Sequence, residues 1–208
     1  MDVVVAGGHG KVGLRLLRLL ADRGHRARGL IRNPDHARDL EGIGAEPVVC
    51  DIEALDDISR CCEGADAVVF AAGAGPGSGA ERKRTVDYDG AVKLMEAGVR
   101  RYVMVSAISV DRPDEWSDQM RPYYEAKADA DRRLLESGLD HTIVRPGGLT
   151  DEPGTGLVRV GTDLGGGQIP REDVAAVLLA VLETPSSVGK TFELVSGDTP
   201  IDQAIQAL

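Results

Sequence analysis

The chain has few cysteines, and its basic side chains are outnumbered by acidic ones. Its 208 residues include three cysteines, none in a C-x-x-C arrangement, and four scattered histidines without the spacing of metal ligands. We therefore expect reduced cysteines in or near the core and no metal site. With 24 basic against 34 acidic side chains, the net charge of −10 argues against a basic surface for nucleic acid, so no nucleic-acid partner is expected.

Long apolar runs are also absent. No window approaches the roughly 18 consecutive apolar residues of a membrane span, and the N-terminus lacks the basic flank of a signal peptide. We expect no membrane partner and a cytoplasmic location. The sequence shows no linker or repeat, so residues 1–208 are expected to form one domain, large enough to bury a core without disulfides or metals.

Apolar runs alternate with helical patterns along the whole chain, which is typical of βαβ repetition and a parallel sheet. Strands are predicted near residues 2–6, 26–32, 45–50, 66–71, 101–106, 140–145 and 191–195. Helices are predicted near residues 11–23, 34–41, 54–62, 82–98, 121–137, 171–183 and 201–208. The expected fold class is α/β, a Rossmann-type doubly wound parallel sheet of about six to seven strands with helices on both faces.

Two predicted loops are rich in glycine. They span residues 73–79 and 147–167, after the fourth and sixth predicted strands. In an open parallel sheet, ligands bind at the carboxyl ends of the strands, which is where both loops begin. We interpret them as the mobile edge of a binding crevice, with residues 147–170 and the C-terminal segment forming a small substrate-side rim.

A glycine-rich turn joins the first predicted strand to the first predicted helix. The glycines at 7, 10 and 13 give the spacing G-x-x-G-x-x-G rather than G-x-G-x-x-G. Glycine permits a tight turn, lets the backbone touch a pyrophosphate, and lets the helix pack on the sheet. Because the first N–H groups of a helix are unpaired, this segment is predicted to bind the phosphates of a dinucleotide. The predicted contacts are Gly7, His9, Gly10, Lys11 and Val12.

The residue at the end of the second predicted strand favours NADP(H) over NAD(H). A carboxylate at this position accepts hydrogen bonds from the ribose of NAD, whereas here the position is Arg32. A guanidinium can pair with a 2′-phosphate through two hydrogen bonds. Lys11 can add a second positive charge, and His9 is the weaker candidate for this. The alternative is that Arg32 is a solvated side chain paired with Asp35.

The next two strand ends are suited to the adenosine of the cofactor. Asp51 can accept a hydrogen bond from the adenine amino group while Ile52 covers the ring, or Asp51 can cap the helix that follows. Small residues end the fourth predicted strand, which lets the backbone approach the adenine ribose. These are Ala71, Ala72 and Gly73.

A tyrosine and a lysine are candidates for the reaction centre. Tyr123 and Lys127 are spaced i, i+4, so on a helix they share a face. A nearby ammonium is expected to lower the pKa of the phenol, which can then exchange a proton with a carbonyl oxygen during hydride transfer. Ser106 or Ser109, at the end of the preceding strand, is expected to polarise the same carbonyl.

Together these segments resemble the short-chain dehydrogenase/reductase superfamily, in its atypical, NmrA-like NAD(P)H-binding branch. The resemblance runs nearly end to end. It is carried by residues 6–13, 31–34, 86–91, 98–103, 123–127, 137–147 and 171–175.

The resemblance implies a Rossmann fold with the pyrophosphate on the first glycine loop and the 2′-phosphate near Arg32. It also implies that Lys127 contacts the nicotinamide ribose and that Pro146 borders the nicotinamide. The sequence departs from the family pattern at three points. Ser106 and Ser109 are slightly out of register, Asp87 stands where many relatives carry asparagine, and the second half is short.

The expected function is an NADP(H)-dependent oxidoreductase, with hydride passing to a small carbonyl, quinone or flavin-like acceptor. One alternative is a non-catalytic NADP(H)-binding redox sensor or regulatory module. Another is an epimerase or isomerase of the sugar-nucleotide type that uses bound cofactor. A small-molecule substrate is the expected partner, together with a second copy of the chain or a regulatory protein.

Overall fold

The computed structural model describes residues 1–75 and 77–208. The predicted glycine loop 73–79 includes Pro76, which lies outside the described residues. The strands are β1 (Asp2–Ala6), β2 (Arg26–Ile31), β3 (Glu46–Val49), β4 (Ala67–Phe70), β5 (Arg101–Val105), β6 (Asp140–Pro146), β7 (Gly148–Thr150), β8 (Leu157–Gly161), β9 (Gln168–Pro170), β10 (Lys190–Ser196) and β11 (Thr199–Pro200). The α-helices are α1 (Lys11–Asp22), α2 (Ala37–Glu41), α3 (Gly79–Arg82), α4 (Gly90–Met95), α5 (Arg121–Leu135), α6 (Arg171–Glu183) and α7 (Ile201–Gln206).

The strands form a doubly wound sheet, so the predicted fold class is confirmed. Among the described residues the main sheet has nine strands, in the order β11-β8-β10-β6-β5-β4-β1-β2-β3. The seven from β10 to β3 run parallel and correspond to the seven predicted strands. The strand order reverses direction between β1 and β4, which places the ligand crevice at their carboxyl ends.

Side chains on the two faces of the sheet pack against different helices. Along β1, Val3 and Val5 face one apolar cluster, built with α1, α6 and α7, while Val4 faces the other, built with α4 and α5. This alternation follows from the two-residue period of a strand. The β1 valines are 0% exposed, and burial of each such side chain contributes about 1.5–3 kcal/mol. The first strand is therefore fixed in the core, and the glycine loop leaves its end.

The prediction of one long loop over residues 147–167 is wrong. This segment contains β7 and β8 and leads into β9. Strand β8 pairs antiparallel with β10, and β7 pairs with β9 in a separate two-stranded sheet. The many glycines obscured the short apolar alternation around Val158, which is fully buried. Asp173 at the start of α6 holds the same segment by accepting hydrogen bonds from Thr155 N and Gly156 N.

The helix predicted over residues 54–62 is also wrong. The segment begins as turns and forms a 3₁₀ helix only at Ser59–Cys62. Asp51 accepts hydrogen bonds from Glu53 N and Ala54 N, and Asp57 accepts one from Ser59 N. Short acidic side chains that bind the backbone in this way compete with helix formation.

The helix predicted over residues 82–98 exists but is not uniform. It runs from α3 through a π-helical segment at Lys83–Asp89 into α4. π-helical turns are rare and are frequently found at functional sites. This one carries the buried Asp87. Each helix among residues 1–75 and 77–208 falls short of the length and apolar character that a membrane span requires.

Candidate cofactor and active site

The glycine loop brings the start of α1 against the end of β1. Gly7 has a positive φ of +82°, and Gly10 N donates a hydrogen bond to Gly7 O at 2.8 Å. Helix α1 has no side-chain cap and no acidic residue in its first turn. Its first N–H groups and the positive end of its dipole are therefore available to an anion.

We expect Gly13→Ala to destroy this arrangement. A Cβ at Gly13 would lie 2.2 Å from Gly7 O, so the helix must move away from the loop. Overpacking of this kind costs about 1–3 kcal/mol. Urea denaturation should show that loss, and nucleotide titration should show strongly weakened binding. Gly24→Ala is the control for lost stability: its φ of +76° strains an alanine, but a Cβ there has no atom within 4 Å and the residue is outside the loop, so nucleotide affinity should stay unchanged. Equal nucleotide affinity in Gly13→Ala and the native protein would contradict the assignment of the loop.

A cavity of about 290 Å³ lies at the carboxyl ends of β1 to β4. It brings together nine of the residues predicted to bind cofactor, although they come from four separate segments. These are Gly7, His9, Gly10, Arg32, Asp51, Ile52, Ala71, Ala72 and Gly73. The arrangement matches a crevice at the point where the strand order reverses.

Arg32 lines this cavity with its side chain 62% exposed. Its Nη1 is 3.5 Å from Glu53 Oε2, so the ion pair is with Glu53 and not with Asp35. Glu53 also accepts a hydrogen bond from Arg82 Nη2 at 2.7 Å and from Thr85 Oγ1. The hydrogen bond from Arg82 holds the pKa of Glu53 below its usual value. The cavity lining thus presents two guanidinium groups around one carboxylate.

Glu53, Arg82 and His36 line the cavity but were not predicted from the sequence. Glu53 lies two residues beyond Asp51, in the segment that was predicted to enter a helix. Arg82 belongs to α3, the helix after β4, and only tertiary packing brings it to the cavity. Asp51 caps the turn through its Oδ1 and also lines the cavity, so the cap does not exclude the predicted contact with adenine.

Four predicted cofactor residues do not line this cavity. Lys11 Nζ is hydrogen-bonded to Asp151, which also pairs with Arg171 at 2.9 Å. Hydrogen bonding from Lys11 is the main cause of the lowered pKa of Asp151. Lys11 is therefore engaged with the 147–170 segment instead of standing free as a second positive charge. Val12, Lys127 and Pro146 are all buried.

Lys127 lies inside the protein, one turn beyond Tyr123 on α5. The Nζ of Lys127 donates a hydrogen bond to Val105 O at 3.0 Å and lies 3.4 Å from Asp87 Oδ1. The side chains of Lys127 and Asp87 are only 4% and 1% exposed. The other carboxylate oxygen of Asp87 accepts a hydrogen bond from Ala74 N at 3.1 Å. This buried pair joins α5 to the π-helical segment and to the loop that follows β4.

The expected direction of the Tyr123 pKa is wrong. Burial raises the pKa of Tyr123 above its ordinary value, and the negative charge of Asp87 raises it further. Asp87 faces Lys127, so the ammonium does not act on the phenol as an isolated positive charge. The phenol is consequently protonated at neutral pH and suited to donate a proton.

The two candidate serines are placed differently from the prediction. Ser106 is 3% exposed, and its Oγ has no hydrogen-bond partner among the described residues. It is closed off from solvent, so this conformation does not present it to a substrate carbonyl. Ser109 has a φ of +63°, and its Oγ accepts a hydrogen bond from Arg112 Nη2 at 2.7 Å. Neither hydroxyl contacts Tyr123 by a hydrogen bond within residues 1–75 and 77–208.

The cysteines are free thiols, and Cys50 lines the cavity. Cys50 and Cys62 are buried and Cys61 is half-buried, as expected for core or near-core residues. Burial raises the pKa of Cys62 to about 11 and also raises that of Cys50. These two thiols therefore remain protonated at neutral pH. Within the described ranges, no group of three or more His, Cys, Asp or Glu side chains is arranged to hold a metal ion.

Comparison with known proteins assigns the family. A family model described as NAD(P)H-binding matches residues 7–185. The chain is 40% identical over 214 residues to the uncharacterized sugar epimerase YhfK of Bacillus subtilis, with 100% of both proteins covered.

Two solved structures have the same fold over the whole chain. A candidate NAD-dependent epimerase/dehydratase from Bacillus halodurans superposes with a TM-score of 0.96 at 40% identity and covers 100% of both chains. The oxidoreductase ylbE from Lactococcus lactis has a TM-score of 0.89 at 29% identity, over 100% of this chain and 96% of that one. The chain therefore belongs to the NAD(P)H-binding family, in the atypical, NmrA-like branch of the short-chain dehydrogenase/reductase superfamily that its sequence resembles.

Proposed function

We propose that the protein is an NADP(H)-dependent reductase. The observation that carries the proposal is one cavity lined by both the first glycine loop and Arg32. A helix N-terminus without a cap suits a pyrophosphate. An exposed guanidinium suits the 2′-phosphate that distinguishes NADP from NAD, because it offers paired donors to phosphate oxygens.

The acceptor is a small carbonyl, quinone or flavin-like molecule. When bound, the reduced nicotinamide supplies the hydride. The Tyr123 hydroxyl donates the proton that neutralises the reduced oxygen, and its raised pKa keeps that proton available at neutral pH. The related protein from Lactococcus lactis, named an oxidoreductase, supports this reaction type.

Lys127 is the residue assigned to the nicotinamide ribose, and because its ammonium is buried against Val105 O and Asp87, it would reach a ribose hydroxyl only after its side chain moves. Its ammonium has three donors, of which one serves Val105 O and another faces Asp87. One donor is left for a ribose hydroxyl. Pro146, at the end of β6, is the residue assigned to the nicotinamide border.

A second candidate is an NADP(H)-binding sensor without turnover. It is supported by the buried hydroxyl of Ser106, which leaves Tyr123 without a hydroxyl beside it in this conformation. A third, an epimerase that uses bound cofactor, is supported by the name of the Bacillus subtilis relative. A regulatory protein or a second copy of the chain is the proposed partner of a sensor. The cytoplasmic location also stays a prediction.

Arg32→Glu tests the cofactor assignment. The substitution removes a charge-assisted contact to the 2′-phosphate and adds repulsion, so NADPH binding should weaken on the order of 100-fold, since such contacts contribute about 1.5–3 kcal/mol. NADH binding should change little. Nicotinamide fluorescence titration measures both. Arg60→Glu, an equal charge change at an exposed position that does not line the cavity, is the control. Equal weakening of NADPH and NADH by Arg32→Glu would contradict the proposal.

Turnover separates the reductase from the sensor. NADPH consumption should be followed with carbonyls, quinones and flavins as acceptors. Consumption that depends on one acceptor class and on Tyr123 supports the reductase. Micromolar NADPH binding without turnover across all three classes supports the sensor. Hydride retention on the cofactor during inversion of a sugar centre would support the epimerase.

A further inference from the structure

Two histidines line the cavity beside Arg32 and are stacked on one another. His9 comes from the glycine loop and His36 from the 3₁₀ turn Pro34–His36 that follows β2. Their ring centroids are 3.7 Å apart, with 15° between the planes. The turn is fixed by Asn33, whose side chain accepts a hydrogen bond from Asp35 N. The fold therefore holds two imidazoles in the same cavity as Arg32.

One of the two rings is hydrogen-bonded to a carboxylate. His9 Nε2 lies 2.7 Å from Asp39 Oδ2. An ionised carboxylate only accepts hydrogen bonds, so the proton of this contact is on His9. Neither ring has another side-chain hydrogen bond among the described residues. His36 thus keeps both ring nitrogens available to a ligand.

The charged groups lining the cavity balance without the histidines. Arg32 and Arg82 contribute two positive charges, and Asp51 and Glu53 contribute two negative ones. A 2′-phosphate carries up to two negative charges near neutral pH. Arg32 alone does not neutralise it, because Glu53 is 3.5 Å from that guanidinium. Protonation of an imidazole is the remaining source of positive charge within this lining.

Other charged groups lie close to the stacked pair along the chain or share a second cavity with Asp39. The first are Lys11, Asp35, Arg38 and Asp39, and the second are Arg15, Arg18, Arg38 and Glu172. Lys11 is paired with Asp151 and Asp39 with His9. Asp35 and Arg38 are exposed and carry opposite charges. None of these groups lines the cavity with Arg32, so none adds a cation to its lining.

We infer that His36, supported by the His9–Asp39 pair, is a second ligand of the 2′-phosphate and that one proton enters the stacked histidines when NADP(H) binds. The inference rests on the proposed function and names the residues that set its cofactor specificity. His36 contacts the phosphate beside Arg32, and His9 fixes the plane of the His36 ring. Two rings 3.7 Å apart repel each other when both are charged, so the pair takes up one proton.

The sign of the pH dependence follows from this proton uptake. The phosphate stabilises the charged imidazole, so the bound form holds its proton to higher pH than the free form. The contribution of the protonated histidine to the affinity for a 2′-phosphorylated nucleotide is then present at low pH and is lost as pH rises through the range where histidines titrate, about pH 5–8. A nucleotide without the 2′-phosphate does not gain this affinity.

The test compares adenosine 2′,5′-bisphosphate with adenosine 5′-monophosphate by calorimetry, between pH 6 and pH 8. In the native protein the preference for the bisphosphate should rise about tenfold toward pH 6, because a proton held about tenfold more tightly in the complex strengthens binding by up to the same factor. Calorimetry at pH 7 in two buffers of different ionisation enthalpy should show proton uptake with the bisphosphate only.

His36→Gln is the decisive variant, and His25→Gln is its control. Glutamine at position 36 keeps a hydrogen-bond donor but cannot be protonated, so the pH-dependent preference should disappear while monophosphate binding stays the same. His25 pairs with Glu183 and does not line the cavity, so its variant should behave as the native protein. Titration of the phosphate itself is common to all three proteins and cancels in the comparison.

Three outcomes are distinguishable. Proton uptake that depends on His36 supports the inference. A preference for the bisphosphate that is equal at every pH, or unchanged in His36→Gln, overturns the inference and leaves the NADP(H) site in place. Equal binding of the two nucleotides in the native protein, or binding of neither, overturns the proposed cofactor specificity and the inference together.

Discussion

Replacing Tyr123 by phenylalanine is expected to lower kcat for NADPH-dependent reduction on the order of 10²–10⁴-fold, the range typical of general acid catalysis. The aromatic ring remains and packs edge-on against Tyr124, with centroids 5.3 Å apart in the native protein. Only the hydroxyl that donates the proton is lost. NADPH affinity should therefore stay within about twofold, because hydrogen-bond loss at the reacting oxygen does not touch the adenosine site.

Tyr124→Phe is the matched control, because it removes a hydroxyl from the next residue of the same helix. Its kcat should remain near the native value. The native enzyme should also show no fall in kcat from phenol deprotonation below about pH 10, the ordinary pKa of tyrosine, because the pKa of Tyr123 is raised by burial and by Asp87. Equal kcat values for Tyr123→Phe and Tyr124→Phe would remove Tyr123 from the mechanism.

Asp87→Ala is expected to produce the largest loss of stability, about 3–5 kcal/mol in the free energy of unfolding. The substitution leaves the Lys127 ammonium buried without its carboxylate and removes the acceptor of Ala74 N. A buried unpaired charge is far more costly than the loss of an exposed ion pair. Urea denaturation at neutral pH measures the change.

The double variant Asp87→Asn with Lys127→Met separates charge from packing. Asparagine keeps an acceptor for Ala74 N, and methionine fills the site without a charge, so much of the lost stability should return. Asp89→Ala, two residues away and without an ion pair among the described residues, should cost less than about 1 kcal/mol. A loss below about 1 kcal/mol for Asp87→Ala itself would show that the buried pair does not stabilise the fold.

The parallel strands were predictable most directly where they contain a continuous apolar run, as in β1, β4 and β5. The β1 run of Val3, Val4 and Val5 is buried on both faces. Its residues are therefore all apolar, and no helical spacing of polar residues competes with the strand prediction. The segment after Asp51 was not predictable in the same way. Its spacing of apolar residues suggested a helix, and only the side-chain hydrogen bonds of Asp51 and Asp57 make it a series of turns. Those hydrogen bonds depend on the direction in which the chain leaves β3.

The adenosine end of the site was predictable because its residues stand at strand ends, and parallel strands end at one edge. Arg82 and His36 were missed because they lie on elements whose approach to the cavity is set by tertiary packing. The environment of Lys127 could not be predicted from the sequence either. The i, i+4 spacing predicts its face on α5, but the partner, Asp87, is 40 residues earlier. The charge of Asp87 raises the pKa of Tyr123.

The most direct test of the account is titration of the native protein with NADPH and, separately, with NADH, followed by nicotinamide fluorescence and by thermal stability. The account predicts micromolar binding of NADPH, weaker binding of NADH, and stabilisation of about 2.7 kcal/mol when NADPH is present at about 100 times its Kd. If neither nucleotide binds or stabilises the protein, the cavity at the glycine loop is not a dinucleotide site and the proposed function is wrong.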